Sequence, residues 1–245
     1  MTATLLTALA DLALPATCAG CGAARTGLCR SCAAALTARV RVADPSPRPP
    51  GLPPCWASAQ YAGAVRAVLL AYKEHDRRDV LPALGGALGR AVAAGVPRGP
   101  VVLVPVPSSP AAVRARGGDH VDRLARAAAG RLRRAGWAPR VARLLAVARR
   151  RRDSAGLGAA DRRANLAGAF RGSGDPPRAP VVIVDDLVTT GATLAEAAAV
   201  LRAMGVGALH SAVVAATLRR VPITPCRPLC HARNETGGDE TPPRG

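Results

Sequence analysis

The stretch Val181-Val-Ile-Val-Asp-Asp-Leu-Val-Thr-Thr-Gly-Ala-Thr-Leu194 constrains this chain more than any other. Four β-branched residues in a row read as a strand buried on both faces, the pattern of an α/β sheet. The run ends in two acids, Asp185 and Asp186. Carboxylates at the carboxyl end of such a strand sit where open α/β sheets bind ligands. The hydroxyl- and glycine-rich loop Thr189, Thr190, Gly191, Ala192 and Thr193 then leads into a helix, expected over 193–204 with Thr193 and Glu196 as a capping box and Gly205 as its stop. Free backbone N–H groups and the helix dipole at that point favour a phosphate, and Gly191 lets the backbone come close. Two acids beside a phosphate cradle suit a sugar phosphate.

The rest of the chain fits an α/β reading. Residues 101–107 (VVLVPVP) and 209–216 are expected as further strands, and 64–72 and 80–94 as helices. Ser109 and Pro110 open a helical stretch that Gly117 and Gly118 interrupt. Asp119 can cap the helix that follows, with Val121, Leu124, Ala128 and Leu132 on one face and Gly136 at its end.

Four cysteines stand near the start as two CxxC pairs, Cys18 with Cys21 and Cys29 with Cys32. Each pair delivers two thiolates from one tight turn, and four complete a tetrahedral zinc shell with no open position, so the expected metal is structural. Cys55 reads as a plain buried residue. Cys226, Cys230 and His231 lie in a ragged tail. The expected organisation is an N-terminal helix and four-cysteine knuckle over 1–42, a Pro-rich linker over 43–54, one α/β domain over 55–217 and a disordered tail over 218–245. Leu5, Leu9 and Leu12 suit one face of the N-terminal helix. That apolar stretch is too short to span a bilayer and lacks a basic n-region, so a cytoplasmic location with reduced or metal-bound cysteines is expected.

The formal charge is +18, nearly all of it arginine, since Lys73 is the only lysine. The excess suits anionic partners, although general enrichment in arginine would produce it too. The composition excludes an acidic disordered tail, a collagen and a disulfide-dense mini-protein. Only 2% of residues are aromatic, which argues against a stacking platform for single strands. His75, His120 and His210 stand in no arrangement with a nucleophile.

The stretch 181–194 resembles the phosphoribosyl pyrophosphate signature of type I phosphoribosyltransferases. By that resemblance Asp185 and Asp186 would hold the ribose 2- and 3-hydroxyls, and Thr189 to Thr193 the 5-phosphate. Four more segments, in order, narrow the likeness: CAGC…CRSC, YKEHDRR (72–78), VPVPSSPAAVRARG (104–117) and GLGAADRRANLAGAF (156–170). Together they resemble the ComF family, competence-associated phosphoribosyltransferase-like proteins with an N-terminal zinc knuckle. The chain departs from that pattern at Gly118 and Asp119, where members often carry an aromatic and Asn. It departs again at Ser154 and Ala155, where Gln is frequent ahead of the GL.

The resemblance implies a doubly wound, mostly parallel sheet and binding of phosphoribosyl pyrophosphate with Mg²⁺. Ribosyl phosphate would pass to a nitrogen acceptor. Ser108, Ser109, Arg114 and Arg116 would face pyrophosphate, Lys73 would approach the cleft, and Arg162, Arg163 and Asn165 would belong to a closing hood. Asp185, Asp186, Arg162 and Arg163 would carry the catalysis. The competing expectation is a non-catalytic accessory of DNA uptake that binds single-stranded DNA or a competence helicase.

Overall fold

The computed structural model describes residues 17–148, 168–207 and 209–217. The first cysteine pair lies in a turn, and in the second Cys29 caps the short helix α1 (Arg30–Ala35) while Cys32 lies inside it. Strand β1 (Arg41–Val42) then pairs antiparallel with β2 (Cys55–Gln60). Helix α2 (Gly63–Glu74) buries Val65, Val68, Leu69 and Tyr72, a spacing of 3, 4 and 7 that places one apolar stripe on the core. A single 3₁₀ turn (Arg78–Val80) leads to α3 (Leu81–Gly95). Strand β3 (Pro100–Pro105), the short α4 (Pro110–Ala115), α5 (His120–Arg134) and β4 (Ala138–Val141) follow. Then come β5 (Leu145–Val147), β6 (Phe170–Gly172), β7 (Val181–Val188), α6 (Ala192–Ala203) and β8 (Leu209–Ala216).

Six strands form one sheet in the order β1-β2-β8-β7-β3-β4, parallel except for β1. Strands β5 and β6 make a separate antiparallel pair. Side-chain alternation along β3 and β7 builds a core on each face of the sheet. Leu103, Val182 and Val184 pack toward α3 and α5 with Leu84, Leu88 and Leu124. Val102, Val104, Val181 and Ile183 pack toward α6 with Leu194, Ala198 and Leu201. Helices cover both faces, so the α/β, doubly wound, mostly parallel class expected from the sequence is the class observed.

Ser109 caps α4 by accepting from the Ala112 N–H, with Pro110 at the first helical position. Asp119 caps α5 by accepting from the Val121 and Asp122 N–H groups. The expected capping box at α6 does not form. Its cap residue is Gly191, at φ +74°, and Glu196 instead accepts from the Gly168 N–H at 2.8 Å. A Cβ on Gly191 would lie 3.0 Å from Leu52 Cδ2 and 3.1 Å from Pro45 Cγ, so both backbone sign and space demand glycine there. The strand expected to reach residue 107 stops at Pro105.

Strand β2 gives no clear sequence signal because CWASAQ is short and built of small residues. It is nonetheless paired on both sides, with β1 and with β8. The Pro-rich segment 43–54 is packed: Ala43 and Leu52 belong to the α6-side core. Arg202 Nη1 donates to Gly51 O at 2.8 Å and fixes the segment to α6. Among the described residues no helix is long and apolar enough to cross a membrane. The expected N-terminal helix, the tail with Cys226, Cys230 and His231, and the stretch holding Arg162, Arg163 and Asn165 lie outside the described residues.

Candidate functional site

Two sites emerge, one local and one assembled. The local one is the cysteine cluster. Ligand atoms of Cys18, Cys21, Cys29 and Cys32 all lie within 4.8 Å of one another, and Cys21 Sγ stands 3.7 Å from Cys29 Sγ. Zinc–sulfur bonds of about 2.3 Å in a tetrahedron set sulfurs roughly 3.8 Å apart, so the donor set and spacing fit a structural zinc site. The backbone is already turned toward the sulfurs. Gly20 N–H and Cys29 N–H donate to Cys18 Sγ at 3.4 and 3.3 Å, and Cys32 N–H donates to Cys29 Sγ at 3.5 Å. The Cys29 amide is the chief cause that lowers the Cys18 thiol to about 6, whereas burial, with the other thiols adding to it, pushes Cys32 well up. Gly20 is required by proximity: a Cβ there would stand 2.6 Å from Cys32 Sγ. Cys55 is fully buried in the α6-side core and is not among the clustered thiols, and burial raises its thiol to about 12.

The assembled site lies at the carboxyl ends of β3 and β7. A cavity of about 450 Å³ is lined there by Lys73, Ser108, Ser109, Arg116, His120, Asp185, Asp186, Thr189 and Thr193, with Val106, Pro107, Ala112, Val121 and Leu187. The two acids differ. Asp185 is half-buried, and its Oδ1 accepts the Asp186 N–H at 2.9 Å. Asp186 is buried, and its Oδ2 lies 2.9 Å from Lys73 Nζ and 3.5 Å from His120 Nε2. Burial alone would raise the Asp186 carboxyl, but His120 and Lys73 outweigh it and hold the group far below the usual carboxylate range. Burial works against the Lys73 ammonium, and the Asp186 charge reverses that and raises it.

Of the residues singled out from sequence, Lys73, Ser108, Ser109, Arg116, Asp185, Asp186, Thr189 and Thr193 meet around this one cavity. Thr190 Oγ1 accepts from the Ala192 N–H at 3.4 Å, so Thr190, Gly191 and Ala192 shape the turn rather than the cavity wall. Arg116 reaches Glu74 Oε1 at 3.2 Å and is held toward the cavity rim. Arg114 is exposed on α4 and does not line the cavity.

The sequence gives Asp119 only a capping role and His120 no role at the site, yet both stand beside Ser108. His120 opens α5, its side chain 8% exposed, and Ser108 Oγ donates to Asp119 Oδ1 at 3.0 Å. The available signal was the cap position itself: a capping acid directly after a glycine pair must return to the loop it follows.

Residues 122–222 match the model of the phosphoribosyl transferase domain, a span that includes Asp185 to Thr193 and leaves out Lys73, Ser108 and His120. No curated protein matches the chain. Fold, matched span and cysteine geometry agree, and the chain carries a phosphoribosyltransferase-like domain behind a small four-cysteine module consistent with a metal-binding knuckle.

Proposed function

We propose that the protein binds phosphoribosyl pyrophosphate with Mg²⁺ and transfers its ribosyl phosphate to a nitrogen acceptor, releasing pyrophosphate. The observation that carries this reading is the single cavity in which paired acids, a threonine loop at a helix N-terminus and a serine–arginine loop meet. Helix α6, twelve residues long, opens beside Thr189 and Thr193, and the positive end of its dipole makes this the place for the 5-phosphate. Asp185 offers its accessible carboxylate to a ribose hydroxyl, while Asp186 works from beneath, neutralised by Lys73. Ser108, Ser109 and Arg116 face the leaving pyrophosphate, where a guanidinium suits bidentate phosphate contacts. Arg114 takes no part in this arrangement. By the family resemblance, Arg162, Arg163 and Asn165, which lie outside the described residues, would act on the pyrophosphate side and help keep water from an oxocarbenium-like centre.

The oxygen donors fit Mg²⁺, which when bound supplies charge neutralisation on the pyrophosphate. Catalysis is then mainly positioning and electrostatic stabilisation. The zinc in the knuckle is structural. With its five ordered motifs, the chain reads as ComF-like and cytoplasmic.

Isothermal titration with magnesium phosphoribosyl pyrophosphate tests the reading. Wild type should bind saturably, and Asp185→Asn/Asp186→Asn should lose more than about tenfold, a little over 1.4 kcal/mol. An unchanged affinity in the folded variant overturns the site assignment.

A second observation favours a further role as a binder of single-stranded DNA, alone or beside a helicase partner. A groove of about 530 Å³ between α3 and α5 is lined by Arg90, Arg131, Arg134 and Trp137. Among the described residues none of those arginines is ion-paired. Oligonucleotide affinity should fall steeply with salt, and should fall further in Arg131→Ala/Arg134→Ala. Absence of binding near physiological ionic strength rules this role out.

A further inference from the structure

The buried imidazole of His120 stands between the two halves of the cavity. On one side Nε2 lies 3.5 Å from Asp186 Oδ2, at the end of β7. On the other, Nδ1 lies 3.4 Å from Ser108 Oγ, on the loop after β3. No hydrogen bond of good geometry reaches Nε2, a buried polar atom. Both contacts are long, and site hydrogen bonds of this kind tighten when ligand arrives. A buried polar group left without a bond in a native fold calls for a reason of its own.

The ring is not needed to hold its own backbone. Tyr72 OH donates to the His120 carbonyl at 2.8 Å, and Asp119 caps the helix that His120 opens. The Tyr72 ring meets the imidazole edge-on, with centroids 6.3 Å apart, and closes it off from the core. What the imidazole adds is a two-ended polar link. The chain of contacts runs Lys73, Asp186, His120, Ser108, Asp119 and joins α2, β7, α5 and the β3 loop.

We infer that His120 is a positioning residue that couples the ribose side of the cavity to its pyrophosphate side. A ligand that draws Ser108 toward the cleft shifts the imidazole and completes its bond to Asp186. A ligand on Asp185 that shifts the adjoining Asp186 does the reverse, because coupling between two sites is reciprocal. The inference rests on the proposed ribosyl-phosphate reading for the identity of the two ligands.

The test measures binding of magnesium pyrophosphate with and without ribose 5-phosphate, and the reverse. In wild type each ligand should strengthen the other by about fivefold or more, the low end of measured couplings. His120→Phe keeps the ring shape and removes both nitrogens. It should bring the coupling to about one, whatever it does to each separate affinity. His120→Gln, which restores polar ends, should recover part of it. Ser108→Ala removes the far end of the link outside the helix and should also abolish the coupling, which keeps the test decisive if His120→Phe does not fold. The ring ¹⁵N resonances of His120 should move on addition of either ligand alone.

Coupling that survives at full size in folded His120→Phe or Ser108→Ala overturns the inference, as do silent ring resonances or simple additivity in wild type. A wild type that binds neither ligand nor phosphoribosyl pyrophosphate instead removes the functional reading beneath it.

Discussion

The knuckle and the cleft are built on opposite plans. The four sulfurs of the knuckle come from fifteen consecutive residues, 18–32, and two tight turns bring them together. The polar groups of the cleft span Lys73 to Thr193 and come from α2, the β3 loop, α5, β7 and the α6 start. The first has few anchors besides its sulfurs: α1 is six residues long and buries only Cys32, and Leu36 just after it enters the core with Ala19, Leu28 and Ala35 packed alongside. The second inherits its order from a sheet with a core on both faces. The knuckle's geometry should therefore depend on a metal bound by its four sulfurs, and the cleft's on packing and on one buried charge cluster.

The two plans meet at Arg77. Its Nη2 donates to the carbonyls of Thr17 and Gly27 in the knuckle at 3.0 and 3.1 Å and pairs with Asp79 Oδ2 at 2.7 Å. Arg77 lies four residues past Lys73, at the exit of the helix that presents that lysine to Asp186.

The largest effect expected is on the knuckle. Structural zinc contributes on the order of 10 kcal/mol to small modules. Chelation, or Cys32→Ala, should remove hydrogen-exchange protection from residues 17–36 while β3, β7 and β8 keep theirs. Equal protection in the metal-free protein would show that packing alone orders the module.

In the cleft, Lys73→Met leaves the Asp186 charge buried against His120 alone. Removing one member of a buried pair costs about 3–5 kcal/mol, and the partial exposure of Lys73 brings the expected loss nearer 2 kcal/mol, a fall in Tm of roughly 4–8 °C. Lys73→Met/Asp186→Asn should be less destabilised than Lys73→Met. A double variant worse than both singles would mean that the charges do not act as a pair.

Acid should separate the regions as well. The Asp186 carboxyl is depressed in the fold, so its stabilisation is present above its unfolded value near 4 and is lost as pH falls toward the folded one. Lys73 is raised, so its share is complete below about 10.4 and declines only as pH climbs above that. The cluster is therefore intact across neutral pH. Acid unfolding followed by near-ultraviolet circular dichroism should have a shallower limb in Asp186→Asn, and an identical limb would remove Asp186 from the account.

Gly191→Ala imposes a strained φ and crowds Leu52 and Pro45, for an expected cost of about 1–2 kcal/mol by thermal melting. No loss there would mean that the 43–54 segment yields freely. Arg77→Ala should cost the whole protein only about 0.5 kcal/mol, since the side chain is partly exposed. Its more telling readout is exchange at α2: a loosened Lys73 turn shows that knuckle and cleft communicate, and an unchanged one shows that they are independent.

Some features of this protein are fixed within a few residues of chain. The CxxC turns, the caps at Ser109 and Asp119, the apolar run 181–184 and the glycine before α6 depend on local sterics and hydrogen bonds. They are legible in the sequence for that reason. The doubly wound class follows from alternation of such elements.

Other features needed the tertiary structure. Strand β2 is readable only by its pairing with β8, because its small residues carry little propensity. Glu196 is free in sequence to close a capping box, yet it serves Gly168 instead. Asp185 and Asp186 are chemically identical neighbours, and the pleat of β7 together with Lys73 and His120 makes one accessible and the other buried and paired. His120 is silent in the sequence because its partners lie twelve residues back and sixty-six residues on. Only a sheet that sets β3 beside β7 brings Ser108 and Asp186 to the two nitrogens of one ring.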